Sequence, residues 1–268
     1  MNGTQDAINL YLEVMKKALT ASIYEQSGWQ IVGTHWNCFK EFFLRILQKN
    51  SLLLVRTKAF DRSQREEGRD WPWFGYTMIG HRRLDNIQMC VEDVLRNKVP
   101  GDLIETGAWR GGATIFMRAL LKAHGNTQRK VWVADSFAGL PVPSKRDDAL
   151  NLSDYNPLKV SLDQVKANFR MFDLLDEQVV FLEGWFCDTL PNVPIENVAV
   201  LRLDGDMYTS TMDSLRHLYH KVSKGGYVIV DDYYSWPDCR RAVTEFLTEH
   251  SIEPDIKRID WTGVYWKV

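Results

Sequence analysis

No apolar run in these 268 residues approaches the ~20 needed to cross a bilayer as a helix, and the first residues lack the basic-then-apolar signature of a secretory signal. A cytoplasmic protein is expected. The four cysteines, Cys38, Cys90, Cys187 and Cys239, form no CxxC pair and have no histidine at zinc-like spacing. That argues against a zinc finger or a redox dithiol and predicts buried free thiols. Basic residues do not run together: pairs such as Arg82-Arg83 and Arg240-Arg241 are the longest blocks, and the formal net charge is -2. Nothing here forms the electrostatic footprint of a nucleic-acid-binding surface. The pyrophosphate-cradling pattern GxGxxG is also missing.

What is present is organised around residues 198–234. The apolar run Val198-Ala199-Val200-Leu201-Arg202-Leu203 ends in Asp204-Gly205-Asp206. A helical stretch is expected over 211–222. Gly225-Gly226 then opens a second run, 227–230, which ends in Asp231-Asp232. Both runs have the bulk of strands buried on two faces, as in a parallel sheet. Carboxylates therefore gather at the carboxyl edge, where open α/β sheets bind ligands. Such a cluster is self-repelling unless a cation sits in it, and oxygen-only ligands suit Mg²⁺. Capping of helix starts is the plainer role for any one of these aspartates.

Upstream, residues 6–24 and 37–47 carry apolar side chains at helical spacing, a helical extension packed on the main domain. Residues 56–70 are dense in charge and read as a mobile, lid-like segment. They lead into Trp71-Pro72-Trp73-Phe74-Gly75-Tyr76, a loop whose aromatic faces could cover a ligand or simply pack on the core. The boundary between extension and main domain is drawn at residues 70 and 71. A helix is expected over 82–96. Strand 102–106 then breaks into Gly107-Ala108-Trp109-Arg110-Gly111-Gly112, and a helix runs to 122. This strand, glycine turn and helix can seat a nucleoside-like ligand at a helix N-terminus, with Glu105 facing positive charge or hydroxyls. The next strand, 131–135, ends in Asp135, placed to accept both hydroxyls of a ribose. After a long loop over 141–158 and a helix over 161–172, strand 178–182 is followed by Trp185 and Phe186, either of which could stack on adenine. A helix over 236–250 and a terminal hairpin, 255–259 with 263–267, complete the chain.

The pattern predicts a Rossmann-like α/β fold, a mostly parallel sheet of about seven strands with helices on both faces. A nucleoside cofactor lacking pyrophosphate, beside Mg²⁺, points to S-adenosylmethionine and methyl transfer to oxygen. An NAD-dependent oxidoreductase fits less well without GxGxxG. A non-catalytic binding module on the same fold is the alternative from another class. Among the histidines, His217 and His220 fall on a surface helix, and His81 starts a helix near the cofactor edge.

The segments Leu103 to Gly112, Val133 to Phe137, Gly184 to Phe186, Leu203 to Tyr208 and Val230 to Tyr233 strongly resemble the macrocin O-methyltransferase family, as do Thr77 to Gly80 and Leu84 to Asn86. The resemblance covers residues 70–267. It implies a class I methyltransferase that methylates sugar hydroxyls of macrolides and related glycosides, working as a homo-oligomer. Asp204, Asp231 and Asp232 are implied as Mg²⁺ ligands and Asp206 as general base, an outer-shell partner of a metal-bound water being its other possible role. The cofactor is expected among Thr77, Met78, Glu105, Thr106, Gly107, Gly111, Asp135, Ser136, Trp185 and Phe186. The acceptor is expected among Trp71, Trp73, Phe74, Tyr76, His81 and Tyr208. A catechol would suit the same chelating carboxylates.

Overall fold

The two apolar runs around Asp204 and Asp231 lie side by side. In the computed structural model, which describes residues 3–24, 29–32, 44, 46–47, 49–147 and 151–268, the elements follow in chain order. They are α1 (Gly3–Leu19), β1 (Gln30–Ile31), β2 (Val55–Arg56), α2 (Arg62–Glu67), α3 (His81–Arg96), β3 (Asp102–Thr106) and α4 (Gly112–Ala123). Then come β4 (Val131–Asp135), α5 (Leu162–Met171), β5 (Val179–Glu183), α6 (Phe186–Thr189), β6 (Val198–Leu203) and α7 (Tyr208–Leu218). The chain ends with β7 (Val222–Val230), α8 (Pro237–Glu249), β8 (Lys257–Arg258) and β9 (Val264–Lys267).

Among the described residues, seven strands form one sheet in the order β5-β4-β3-β6-β7-β9-β8. Its first five are parallel, and β9 runs antiparallel to both β7 and β8, the expected terminal hairpin. Every residue of β6 is buried, as its unbroken apolar run requires of a central strand covered on both faces. Register places Glu105 opposite Arg202 and Thr106 opposite Leu203, so β3 and β6 end together and bring the glycine turn beside Asp204. A Cβ on Gly107, whose φ is +96°, would lie 1.9 Å from the Asp204 carbonyl oxygen; only glycine permits that approach.

Two apolar layers cover the sheet. One includes Leu12, Met15 and Leu19 of α1 together with α3 and α4, so the N-terminal helix is built into the main core. Full burial of Leu12 and Leu19 stabilises this docking by about 1.5–3 kcal/mol each. The other layer joins α7 and α8 to the far face.

Several local expectations are corrected. The helix expected over 211–222 runs from Tyr208 to Leu218, and β7 starts at Val222, because the chain tightens into a 3₁₀ turn over Tyr219–Lys221. The charged stretch 56–70 is not all loop: Asp61 caps α2 by accepting the Ser63 and Gln64 amides, and Arg65 is buried. Cys90 and Cys239 are buried free thiols, but Cys187 is exposed on α6. Cys38 and most of the helix expected over 37–47 lie outside the described residues. No helix among the described residues is long and apolar enough to cross a membrane.

Candidate active site

Two adjoining cavities open at the carboxyl edge of β3, β4, β6 and β7. Their walls share Gly107, Asp135, Gly139, Leu140 and Asp204. The first, about 330 Å³, is walled by Met78, Trp71, Trp109, Tyr155, Trp236 and Trp261, with Asp204, Asp206, Asp231 and Asp232 at its base. The second, about 600 Å³, is walled by Ser136, Trp185, Phe186, Gly205 and Ser210. Together they form a trough with an acidic pole and an apolar pole.

The acidic pole is set by strand ends. Asp204 follows β6 and Asp231 follows β7, with one oxygen each of Asp204, Asp231 and Asp232 lying within 4.8 Å of one another. Asp232 Oδ2 is buried and has no hydrogen-bond partner, a cost that a bound cation would remove. An all-oxygen donor set with such an orphan fits a hard divalent ion. Asp206 is in the left-handed region (φ +57°), which turns the chain from β6 into α7 and puts its carboxylate in the cavity wall. Burial, then Asp204 and Asp231, push the Asp206 carboxyl up to about 7. Burial pushes Asp232 well above the ordinary carboxylate range, with Asp206 and Asp204 adding to it. Asp231 goes the other way: burial raises it, but the Arg202 and Arg83 guanidiniums more than offset that and hold it low.

The glycine turn is held by Asp135. Its Oδ2 accepts the amides of Ala108 (2.7 Å) and Trp109 (3.1 Å), and its Oδ1 accepts Phe137 N–H (2.7 Å). Three of about four acceptor sites are thus taken by backbone amides, which ties Asp135 to the shape of the turn. Burial raises its pKa against the pull of these amides. Arg110 extends the turn's reach: its Nη1 donates to the carbonyls of Pro72, Trp73 and Gly75 (3.2, 3.1 and 2.6 Å) and so ties down the aromatic loop. Trp71 then packs edge-on against Trp109 and Tyr155, with ring centroids 5.9 and 6.0 Å apart.

Several expected site residues lie elsewhere. Glu105 and Thr106 are 1% exposed and line neither cavity. Glu105 pairs with Arg202 under the floor, where burial pushes it up to about 8 against the pull of that arginine; Thr106 Oγ1 accepts Ser214 Oγ–H. Thr77 is buried and accepts the Ile79 amide, while Gly111 packs against Val165 and Phe169. His81 points to the turn that follows α1, its Nε2 3.1 Å from the hydroxyls of both Thr20 and Ser22, and lines a separate cavity with Arg65 and Glu66. Its burial lowers its pKa. Trp73 faces another cavity beside Lys58 and Arg69, Phe74 is exposed, and Tyr76 packs on Phe172. Tyr208 donates to Glu245 Oε2 (2.6 Å) under the Arg241 guanidinium, off the trough. Sequence reasoning missed Arg83, Arg202, Trp109, Tyr155, Trp236 and Trp261. Arg202 alone carried a signal, as a lone cation inside an otherwise apolar strand that ends in acids.

The family described as macrocin O-methyltransferase (TylF) matches residues 8–268. Demethyldecarbamoylnovobiocin O-methyltransferase of Streptomyces niveus is 47% identical to the chain, over 98% of this chain and 95% of its own length. Mycinamicin III 3''-O-methyltransferase of Micromonospora griseorubida is 45% identical, over 97% and 96%. The solved structure of the O-methyltransferase NovP superposes with a TM-score of 0.84 at 47% identity, covering 97% of this chain and 98% of that one. The calicheamicin methyltransferase CalS11 shares the fold at 19% identity, with a TM-score of 0.58 over 88% of this chain and 95% of its own.

Proposed function

The chain belongs to the macrocin O-methyltransferase family and is an S-adenosylmethionine-dependent O-methyltransferase, and from that premise we propose that it methylates a sugar hydroxyl of a glycosylated natural product with the help of Mg²⁺. The observation that carries this is the two-pole trough: an aromatic-walled cavity with four carboxylates at its base, joined at Gly107 and Asp135 to a second, apolar cavity. A relative from Streptomyces olivaceus whose name gives a rhamnosyl-tetracenomycin as the acceptor of its 4'-O-methyl transfer supports a glycoside acceptor.

Within this reading, Trp185 and Phe186 stack the adenine, and Asp135 takes one ribose hydroxyl while it keeps the glycine turn in shape. Trp71, Trp109 and Tyr155 offer ring faces and edges to the apolar face of a sugar and exclude water around it. Asp204, Asp231 and Asp232 hold the ion. Asp206 accepts the proton of the acceptor hydroxyl; a buried carboxyl shifted toward neutrality is a stronger base than an ordinary aspartate. The sulfonium of the cofactor supplies an activated methyl group with a good leaving group, and a bound Mg²⁺ lowers the pKa of a hydroxyl oxygen next to it. No protein nucleophile is required. Catalysis is positioning plus electrostatics.

The test is calorimetric titration with S-adenosylmethionine and with NAD, each with and without Mg²⁺, followed by methylation assays on desmethyl glycosides and on catechols. Glycoside methylation that stops with chelator supports the reading. Turnover of catechols alone would reassign the acceptor, and full activity in chelator would remove the metal. The same reading expects a homo-oligomer, checked by light scattering of the whole chain.

A further inference from the structure

A cation buried in a strand that is covered on both faces is costly unless opposite charge meets it. Arg202 of β6 has no exposed surface, and three carboxylates meet it. Its Nη1 donates to Glu105 Oε1 and, at 2.7 Å, to Asp204 Oδ2; its Nη2 donates to Asp231 Oδ1. The other Asp231 oxygen accepts Arg83 Nη1 from α3, and Arg83 Nε lies 3.0 Å from Asp260 Oδ2. Each oxygen of Asp231 is therefore held by a guanidinium, whereas Asp232 Oδ2 is left without a partner. The three candidate ion-holding residues are not equivalent: one is clamped on both sides and one is open.

Resting on the metal reading above, we propose that Arg202 is a positioning residue: anchored by Glu105, its planar fork fixes the spacing of Asp204 and Asp231 and thereby the size of ion the cluster accepts. Strand geometry supplies the anchor, because Arg202 sits in register with Glu105 on β3 and two residues before Asp204, on the same side of β6. A guanidinium presents its donors in one rigid plane, and two carboxylates bound to it lose their freedom to slide relative to one another. A lysine ammonium is a point charge and imposes no such plane. The spacing matters because Mg²⁺ requires a near-ideal octahedron with oxygens at about 2.0–2.1 Å, whereas Ca²⁺ accepts longer and looser shells. A cluster held at fixed spacing selects the smaller ion; a cluster free to breathe loses the selection.

The experiment is Mn²⁺ binding followed by electron paramagnetic resonance, with calorimetry of Mg²⁺ and Ca²⁺, on the full chain and on Arg202→Lys, each checked for fold by circular dichroism. The expected result is Mn²⁺ affinity lowered about 10–100-fold, as for other residues that orient metal ligands, together with a reduced preference for Mg²⁺ over Ca²⁺. The kcat should fall while KM for S-adenosylmethionine stays within about twofold, since Arg202 lines neither cavity. A folded Arg202→Lys with wild-type Mn²⁺ affinity and ion preference overturns the proposal. A purely structural role would lower the melting temperature without moving that preference. If Arg202→Lys does not fold, Glu105→Gln exchanges the anchoring carboxyl group for an amide at nearly constant volume and is measured the same way; unchanged ion preference there also overturns it. Wild-type protein that binds no Mn²⁺ removes the metal reading itself, and this inference with it.

Discussion

Asp147 and Thr209 are tied together through both carboxylate oxygens. Asp147 Oδ1 accepts the Thr209 amide at 3.0 Å, and the Thr209 hydroxyl lies 3.2 and 3.0 Å from Oδ1 and Oδ2. Oδ2 also accepts the amide and hydroxyl of Ser144. Asp147 thus fastens the loop that walls the apolar cavity, which includes Ser144, to the first turn of α7, where its charge also suits the positive end of the helix.

Removing that fastening should loosen the cavity wall without disturbing the sheet. Asp147→Ala forfeits a charge-assisted set worth about 1–3 kcal/mol, so the Kd for S-adenosylmethionine should rise about 5-fold and by no more than about 150-fold. Calorimetry checks it. Burial pushes this carboxyl up, but Ser144 and the Thr209 amide hold it below the usual range. With a depressed folded-state pKa, the fastening is complete above the unfolded value of about 3.9 and is lost only as pH falls through the folded one. Cofactor affinity should therefore not change through Asp147 between pH 5 and 8. A wild-type affinity for Asp147→Ala at pH 7 would show that the loop does not wall the cofactor.

Asp204→Asn is predicted to keep the fold and lose turnover. Arg202 retains Glu105 and Asp231 as partners, so its charge stays compensated. The melting temperature should move by only a few degrees while kcat falls by about 10²-fold or more. Mg²⁺ at a hundredfold excess over its Kd should stabilise the wild type by about 2.7 kcal/mol and the variant much less. Thermal melts with Mg²⁺ and with chelator decide it.

How far the site was legible follows from where its information lies. Asp204, Asp231-Asp232 and the turn from Gly107 to Gly112 could be read because each sits at the end of a local apolar run. Strand ends become an edge once the strands are parallel. The Arg202–Glu105 and Arg83–Asp231 pairs could not be read, because they depend on register between strands and on how α3 packs, both long-range facts. His81 was misplaced for a related reason: it is the first residue of α3, and its phase turns it toward Thr20 and Ser22 rather than the sheet edge. In the aromatic loop, Trp71 reaches the cavity while Trp73, Phe74 and Tyr76 do not. Composition could flag the loop, but the Arg110 tether that fixes its backbone is a contact between distant residues that composition does not carry.

Away from the site, Arg118 of α4 is forked onto Asp176, with Nε to Oδ1 at 2.9 Å and Nη2 to Oδ2 at 2.5 Å. The hydrogen bond from Arg118, helped by its charge, holds the Asp176 carboxyl below its ordinary range. The pair stabilises the fold above the unfolded pKa of about 3.9 and is lost as pH falls through the folded value. Asp176→Asn leaves a buried guanidinium half-paired and should cost about 1–3 kcal/mol at pH 7. Urea titrations at pH 7 and pH 3 check both parts: the gap between wild type and variant should shrink at the lower pH.

Trp71 gives the most direct test of the aromatic-walled cavity as the proposed acceptor site. Its ring meets Trp109 and Tyr155 in the cavity that also holds the carboxylates, whereas Trp185 and Phe186 line the other one. A sugar held there gains from contact with the ring about 0.5–1.5 kcal/mol, which corresponds to roughly a 2- to 10-fold change in binding. Trp71→Ala should therefore raise KM for a glycoside acceptor by that factor and leave KM for S-adenosylmethionine unchanged. Steady-state kinetics with each substrate varied in turn separates the outcomes. A change confined to the cofactor would mean that the aromatic wall serves the other pole of the trough, and the assignment of the two cavities would have to be exchanged.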